Sequence, residues 1–213
     1  MTLFRLDASI RVDGSASREL ADAVEAEWQL AHPGDAVTRR HVGTEPLPAT
    51  TWGEAVTGSM TPESARTPEQ RGALALASEL VDELTSASAV LLAAPLYNYG
   101  VSQHVKAWVD LVIAGSTPGT RLLEGVPTVL ATVRGGSYSA GTPREGWDHY
   151  TAYLRRILAD VWGADLTVVE RDFTLVGVNP ALDAFTEQAK ALHTRALSAA
   201  REAGRALGVV PVA

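Results

Sequence analysis

Cysteine is absent from this chain of 213 residues. Its absence excludes disulfides, thiolate nucleophiles, cysteine-ligated zinc and iron–sulfur clusters. Basic residues are also few, because 18 Lys+Arg stand against 25 Asp+Glu and give a formal net charge of -7. An acidic surface repels phosphate backbones, so we expect no nucleic-acid partner.

Long apolar runs are missing as well. The longest, residues 87–95, contains Ser88 and is about half of the roughly 20 residues that a membrane helix needs. Arg5 and Asp7 stand where a secretory signal would have its apolar core. The histidines lack metal-ligand spacing, and neither HExxH nor G-x-S-x-G occurs. We therefore expect a soluble, cytoplasmic protein with no membrane partner, no bound metal and no serine-hydrolase site.

What the chain does contain is an alternation of short β-like runs and longer amphipathic helices. The predicted strands are residues 3–8, 36–42, 88–94, 127–133 and 166–170. The predicted helices begin near residues 17 and 67, include 105–112, and cover 147–162 and 180–207. This alternation indicates parallel strands with helices on both faces of the sheet. We predict an α/β fold in one domain over residues 1–213, a doubly wound five-stranded parallel sheet of the flavodoxin-like order 2-1-3-4-5. Residues 43–66 form its one long loop.

In that strand order the direction of winding reverses between strands 1 and 3. Ligands of doubly wound sheets bind beyond the carboxyl ends of the strands at this reversal. The loops that meet there are residues 9–17, 95–101 and 134–141, so we predict the functional site among them.

The first of these loops, SIRVDGSAS over residues 9–17, suits a phosphate. It offers the hydroxyls of Ser9, Ser15 and Ser17 and a run of backbone N–H groups where a helix begins, with Arg11 and Arg18 close by. A simple helix cap by Ser15 or Ser17 explains the segment equally well. The loop is neither a P-loop nor G-x-G-x-x-G, so it does not support dinucleotide binding by those routes.

The second loop, PLYNYG, places Tyr97 and Tyr99 on either side of Asn98. Aromatic side chains there can form the wall of a pocket for a planar ring, and Asn98 can hydrogen-bond its heteroatoms. The alternative is a turn with partly buried tyrosines.

The third loop begins at the end of a strand with VRGGSY, residues 133–138. Gly135 and Gly136 allow the backbone to approach a ligand closely, Arg134 can counter negative charge, and Tyr138 can line the pocket. The alternative is a plain glycine turn.

With these segments in view, the chain resembles the FMN-dependent NAD(P)H:quinone oxidoreductases known as azoreductases, in the flavodoxin-like superfamily. The resemblance runs from the first strand through the final helix. It is densest over TPEQRGALALASELVDEL and AAPLYNYGVSQHVKAWVDLV, and APLYNY matches the family motif A-P-[ML]-Y-N-[FY]. It implies FMN as cofactor, NADH or NADPH as electron donor, and a homodimer with the FMN sites at the subunit interface.

The resemblance also implies roles for individual residues. Ser9 and residues 15–17 would contact the FMN phosphate, residues 96–99 the isoalloxazine ring, and residues 133–136 its pyrimidine end. The full set of expected cofactor-binding residues is Ser9, Arg11, Ser15, Ala16, Ser17, Pro95, Leu96, Tyr97, Asn98, Tyr99, Val133, Arg134, Gly135, Gly136 and Tyr138. No catalytic acid or base is assigned, although His149 is a candidate to protonate the acceptor.

The implied activity is ping-pong hydride transfer from a nicotinamide to quinones, azo compounds or related planar aromatics. Two segments depart from the family pattern, residues 115–125 and SYSAGTPREGWDHY over 137–150, and both are expected to face the substrate. Three alternatives therefore stay open: a biosynthetic flavoenzyme acting on one aromatic metabolite, a flavodoxin-like electron carrier that is not an enzyme, and a flavin-free binding protein.

Overall fold

The computed structural model describes residues 1–208, and its centre is a five-stranded parallel sheet of order β2-β1-β3-β4-β5. The strands are β1 (Thr2–Asp7), β2 (Ala36–His41), β3 (Ala89–Ala93), β4 (Pro127–Val133) and β5 (Asp165–Arg171). The helices of the described part are α1 (Ala16–Ala31), α2 (Thr51–Met60), α3 (Pro68–Thr85), α4 (Gln103–Gly115), α5 (Thr151–Arg155) and α6 (Thr186–Leu207). The predicted fold class and strand order are confirmed.

The sheet separates two apolar cores. On one face α1 and α6 pack against alternate strand residues such as Leu3, Leu91 and Val129. On the other face α3, α4 and α5 pack against the residues between them, such as Phe4 and Leu92. All five residues of β3 are buried, as expected of a central strand covered on both faces. The polar strand β2 lies at the sheet edge, also as predicted.

The prediction of one long loop over residues 43–66 was wrong, because this stretch contains α2 and a short 3₁₀ turn, Glu63–Ala65. The sequence of α2, TWGEAVTGSM, is rich in Thr and Gly and has a low helix propensity. Packing stabilises it instead: Ala55 and Gly58 are buried, and a Cβ atom at Gly58 would lie 3.1 Å from the Cβ atom of Gln70 on α3.

The predicted helix over residues 147–162 begins later than expected. Asp148 accepts hydrogen bonds from the backbone N–H groups of Tyr150 (3.0 Å) and Thr151 (2.8 Å), so the helix starts after it. From Arg156 to Val161 the helix continues with π geometry. The exposed Trp147, predicted as the first residue of this helix, lies in the preceding loop. The final predicted helix likewise starts at Thr186, after a 3₁₀ segment, Pro180–Phe185.

Close contact between α1 and α6 generates a first prediction. A Cβ atom at Gly204 would lie 2.4 Å from the carbonyl oxygen of Val24 and 2.9 Å from the Cβ atom of Glu27. We expect Gly204→Ala to lower the free energy of unfolding by about 1–3 kcal/mol, although alanine favours helices, because the two helices must move apart. Urea unfolding followed by circular dichroism measures the change.

Gly72→Ala on α3 is the matched control. A Cβ atom there meets no other atom within 4 Å, so this variant should gain about 0.5–1 kcal/mol from helix propensity alone. Equal effects in the two variants would contradict the close approach of α1 and α6.

Candidate active site

An open cavity of about 390 Å³ lies where the loops that follow β1, β3 and β4 meet. This is the edge of the sheet at which strand order reverses, because β1 pairs with both β2 and β3. Of the residues predicted from the sequence, nine line the cavity: Arg11, Ala16, Leu96, Tyr97, Asn98, Tyr99, Val133, Gly135 and Tyr138. The lining also includes five residues that were not singled out: Ile10, Gly14, Arg144, Thr174 and Leu175.

Six predicted residues do not line the cavity. Five of them are buried: Ser9, Ser15, Ser17, Pro95 and Gly136. The sixth, Arg134, is described below. His149, considered as a proton donor, also lies outside the lining.

The loop after β1 is tied to the loop after β3 through hydroxyl groups. The Oγ atom of Ser9 accepts a hydrogen bond from the N–H of Arg11 (3.2 Å) and lies 3.4 Å from the hydroxyl of Tyr97. That hydroxyl accepts a further hydrogen bond from the N–H of Ile10 (3.3 Å). Through these contacts Tyr97, which belongs to the loop after β3, holds the loop after β1 in place across the mouth of the cavity.

The end of the same loop has the features of an anion site. Ser15 caps α1 by accepting from the N–H of Arg18 (3.4 Å), and its Oγ atom lies 3.3 Å from that of Ser17. Within residues 1–208, the backbone N–H groups of Gly14, Ala16 and Ser17 donate to no protein acceptor. Unpartnered N–H groups at a helix N-terminus carry partial positive charge and fit a phosphate. Ser15 can therefore cap α1 while the free N–H groups of the same segment bind an anion.

Gly43, which follows β2, supports this loop from behind. A Cβ atom at Gly43 would lie 2.2 Å from the carbonyl oxygen of Ser9, so only glycine allows the two backbones to lie this close. Sequence reasoning missed this residue because nothing in the local sequence shows which loop it contacts.

The turn after β3 is strained. Asn98 (φ 48°) and Tyr99 (φ 67°) both adopt left-handed backbone conformations, which cost about 1–2 kcal/mol per non-glycine residue, less for asparagine. The carbonyl oxygens on either side are held: that of Tyr97 accepts from Gly100 (2.9 Å), and that of Tyr99 accepts from His149 (3.0 Å). The turn thus presents Asn98 and Tyr99 to the cavity in a fixed orientation.

The loop after β4 packs against the loop after β5. The N–H of Leu175 donates to the carbonyl oxygen of Gly135 (3.2 Å), and a Cβ atom at Gly135 would lie 2.6 Å from Cδ1 of Leu175. Glycine at position 135 therefore leaves room for the side chain of Leu175. Thr174 and Leu175 could have been predicted from the sequence, since they follow the carboxyl end of β5 at the same edge of the sheet.

The expectation that Arg134 counters negative charge on a ligand was wrong, because its guanidinium is paired within the protein. Its guanidinium pairs with Asp148 (2.9 Å), Asp172 (3.0 Å) and Glu170 (2.6 Å), and donates to Oγ1 of Thr151 (3.1 Å). Burial alone would lower the pKa of Arg134, but the charges of Glu170, Asp172 and Asp148 raise it above its ordinary value. The guanidinium therefore joins the loop after β4 to α5 and β5, and does not provide charge to the cavity.

The segment 137–150 contributes the remaining wall. Tyr99 makes edge-on contacts with Tyr138 and Trp147, with ring centroids 6.3 and 5.4 Å apart. The guanidinium of Arg144 lies 5.8 Å from the centroid of the Tyr99 ring. At the end of the segment, the buried hydroxyl of Tyr150 donates to the carbonyl oxygen of Ala94. Part of this segment thus faces the cavity, as expected.

Residues 115–125, the other segment expected to face the substrate, lie elsewhere. The N–H of Leu123 donates to the carbonyl oxygen of Trp162 (2.8 Å), and that of Gly125 donates to Gly163 (3.0 Å). The segment leads into the amino end of β4, at the edge of the sheet opposite the cavity, so the expectation was wrong within this chain.

Across residues 1–208, no helix has the length and apolar character of a membrane span, and no three potential metal ligands cluster.

Comparison with known proteins bears on this geometry. The flavodoxin-like fold family matches residues 1–197. The FMN-dependent NADH:quinone oxidoreductase of Parafrankia sp. (strain EAN1pec) is 38% identical over 205 residues, which cover 94% of this chain and 97% of the relative. That of Frankia alni is 38% identical over 209 residues, 96% and 97% of the two chains. This chain belongs to the flavodoxin-like family of the FMN-dependent NADH:quinone oxidoreductases.

A solved structure of this fold shows how far the similarity of shape extends. The FMN-dependent NADH-azoreductase of Bacillus anthracis str. Ames Ancestor, determined in complex with FMN, superposes with a TM-score of 0.73 at 16% identity, covering 94% of this chain and 98% of that one. At this identity the match supports the fold alone, and the family assignment depends on the more similar relatives.

The network around Arg134 generates a prediction on stability. Burial alone would raise the pKa of Asp148, but hydrogen bonds from Thr151 and Tyr150 and the charge of Arg134 lower it below its ordinary 3.8. We expect Asp148→Asn to lower the free energy of unfolding at neutral pH by about 1–3 kcal/mol, because charge-assisted hydrogen bonds are lost. Urea unfolding across a pH series measures this.

The sign of the pH dependence follows from the lowered pKa. A carboxyl group whose pKa is lower in the folded state contributes its full stabilisation above the unfolded value, and loses it as pH falls through the folded value. The difference between wild type and Asp148→Asn should therefore shrink below about pH 4. Asp160→Asn, in an exposed pair with Arg156, is the control and should change stability by less than about 0.5 kcal/mol. A difference that stays constant down to acid pH would contradict the role of the Asp148 charge.

Proposed function

We propose that this protein is an FMN-dependent NADH:quinone oxidoreductase that also reduces azo compounds or related planar aromatics. The observation that carries the proposal is a single cavity that joins unpartnered N–H groups at the start of α1 to the turn of Tyr97, Asn98 and Tyr99. The names of the relatives that share more than a third of their sequence with this chain support the same cofactor and donor.

The loop after β1 would hold the phosphate of FMN. The N–H groups of Gly14, Ala16 and Ser17 are free to donate to it, and Arg11, which lines the cavity, adds positive charge. The hydroxyls of Ser15 and Ser17 lie next to these groups. This donor set fits a doubly charged phosphate, because each donor is at or beside the positive end of the α1 dipole.

The opposite part of the cavity would hold the ring system. Leu96, Tyr97 and Tyr99 offer apolar and aromatic surface, and Asn98 offers an amide that can bond ring heteroatoms. Val133 and Leu175 line the cavity with further apolar surface and limit the access of water.

When bound, FMN would supply the two-electron redox chemistry between NADH and the acceptor. Overall, NADH, a proton and a quinone would give NAD⁺ and a hydroquinone. No side chain of the cavity is assigned as an acid or base, so the contribution of this chain is to bind, orient and desolvate.

We propose further that the protein acts as a cytoplasmic homodimer. Exposed apolar side chains on α2, those of Trp52 and Met60, together with Trp147 beside the cavity, offer surface that a second copy would cover. NADH as donor supports a cytoplasmic location. Light scattering that gives the mass of one 22.5 kDa chain would contradict the dimer.

The proposal is tested by an anaerobic visible spectrum of the purified protein with FMN, before and after NADH is added. We expect flavin absorbance to survive desalting and to bleach within seconds of adding NADH. Bound flavin that resists bleaching would favour an electron carrier or a biosynthetic flavoenzyme, and the absence of bound flavin would overturn the assignment of all three loops.

A second prediction separates the phosphate site from the ring site. We expect Arg11→Gln to raise the Kd of FMN by about 5- to 10-fold, since Arg11 lines the cavity and one charge-assisted contact with the phosphate is lost. The Kd of riboflavin, which lacks the phosphate, should change little. Quenching of flavin fluorescence on binding measures both constants.

Arg155→Gln, on the exposed surface of α5 and outside the cavity, is the matched control and should leave both Kd values as in the wild type. If Arg11→Gln weakened riboflavin as much as FMN, the loop after β1 would not be the phosphate site.

A further inference from the structure

The loop after β1 contains the only Asp-Gly pair of the chain, Asp13 and Gly14, and the sequence has no Asn-Gly pair. At such a pair the backbone nitrogen of the glycine can attack the carboxyl group of the preceding side chain. Glycine favours this reaction because it has no Cβ atom to hinder the approach and because its backbone is conformationally free. Whether the pair reacts in a folded protein depends on its exposure and on its hydrogen bonds.

Both residues are exposed at the tip of a turn, and neither is tied down. The hydrogen bonds of this loop are made on either side of the pair, from the N–H of Arg11 to Ser9 and from the N–H of Arg18 to Ser15. Within residues 1–208, no protein hydrogen bond involves Asp13 or Gly14. The attacking nitrogen and the carboxyl group are therefore both free.

The space around Gly14 is open as well. Its φ angle is 66°, a left-handed conformation, and a Cβ atom built on it would meet no other atom within 4 Å. Since no neighbouring side chain or strand confines this peptide, the backbone can move into the geometry that ring closure requires.

The reaction needs no co-reactant. The Gly14 nitrogen forms a bond to Cγ of Asp13, the Cγ–OH bond breaks, and the N–H proton leaves with that hydroxyl as water. The product is a five-membered cyclic imide. Water then opens the imide at Cγ, which restores aspartate, or at the main-chain carbonyl of residue 13, which gives isoaspartate.

We infer that Asp13 and Gly14 form a self-modification site, at which the loop after β1 converts to isoaspartate while the anion site is empty. The protection of this site by the cofactor depends on the proposed function. A phosphate bound at this loop would accept the Gly14 N–H and fix its peptide, and its negative charge would oppose loss of the proton from that nitrogen.

The modification would impair the anion site itself. Isoaspartate lengthens the main chain by one CH₂ group and places its carboxylate on the main-chain side of the loop. The N–H groups of Gly14, Ala16 and Ser17 would no longer converge on one point, and the extra displacement of charge disfavours a phosphate. Protein that has lost its cofactor would thus progressively lose the capacity to bind it again.

The test incubates flavin-free protein, FMN-loaded protein and protein saturated with riboflavin, in a mildly acidic buffer without phosphate. Isoaspartate is quantified by enzymatic methyl transfer to its carboxylate and located by mass spectrometry of peptides. We expect it at residue 13 in the flavin-free and riboflavin samples, and several-fold less of it with FMN. The other aspartates, none of which precedes a glycine, are internal controls.

Asp13→Glu is the matched control variant. It keeps the charge, cyclises far more slowly because a larger ring must form, and replaces a residue that does not line the cavity. Freshly purified, it should bind FMN as the wild type does. After flavin-free incubation it should still do so, whereas the wild type should lose FMN binding in proportion to its isoaspartate content.

The outcomes separate this inference from the proposed function. Absence of isoaspartate at residue 13 in the flavin-free sample would overturn the modification site and leave the proposed function intact. Equal protection by FMN and riboflavin, or an equal loss of FMN binding in Asp13→Glu, would overturn the link between the modification and the phosphate. If no flavin bound, the proposed function would fail, and the flavin-free sample would still decide on the modification site.

Discussion

The position of β1 between β2 and β3 is the constraint on which the site depends. Because β1 pairs with both neighbours, the chain leaves it through α1 on one face of the sheet and returns to β3 from α3 on the other. The loops that follow β1 and β3 therefore diverge, and the crevice between them cannot be filled by either connection. The free end of α1 and the strained turn of Tyr97, Asn98 and Tyr99 meet across this crevice as a result.

The arginines near this edge have different roles, because one is buried in ion pairs and two line the cavity. Arg134 is largely buried among three carboxylates, which neutralise its charge, and these ion pairs join β4 to β5 and to the start of α5. Arg11 and Arg144 line the cavity without a carboxylate partner in the part of the chain that the structure describes. A protein with a net charge of -7 can in this way keep a locally positive cavity for anionic ligands.

The sequence was sufficient where local patterns decide the outcome. The apolar run of β3 predicted a central strand, and Thr67 with Pro68 predicted the start of α3, where a capping box with Gln70 is present. The sequence was insufficient where contacts between residues far apart in the chain determine the structure. The weak helix former α2 is stabilised by α3, and three carboxylates from two other segments close around Arg134. Similarly, nothing near Arg144 in sequence indicates that its guanidinium lies over the ring of Tyr99, 45 positions earlier.

The segment from Arg134 to Tyr150 is fixed at both ends and open in the middle. Arg134 and Asp148 join the two ends to each other, and the Tyr150 hydroxyl ties the second end to the carbonyl oxygen of Ala94. Between these ties, Tyr138 packs against the core on the α3 and α4 face, while Arg144 and Trp147 are exposed. Because both ends of the segment are tied down, substitutions in its exposed middle can reshape the wall of the cavity without breaking these ties.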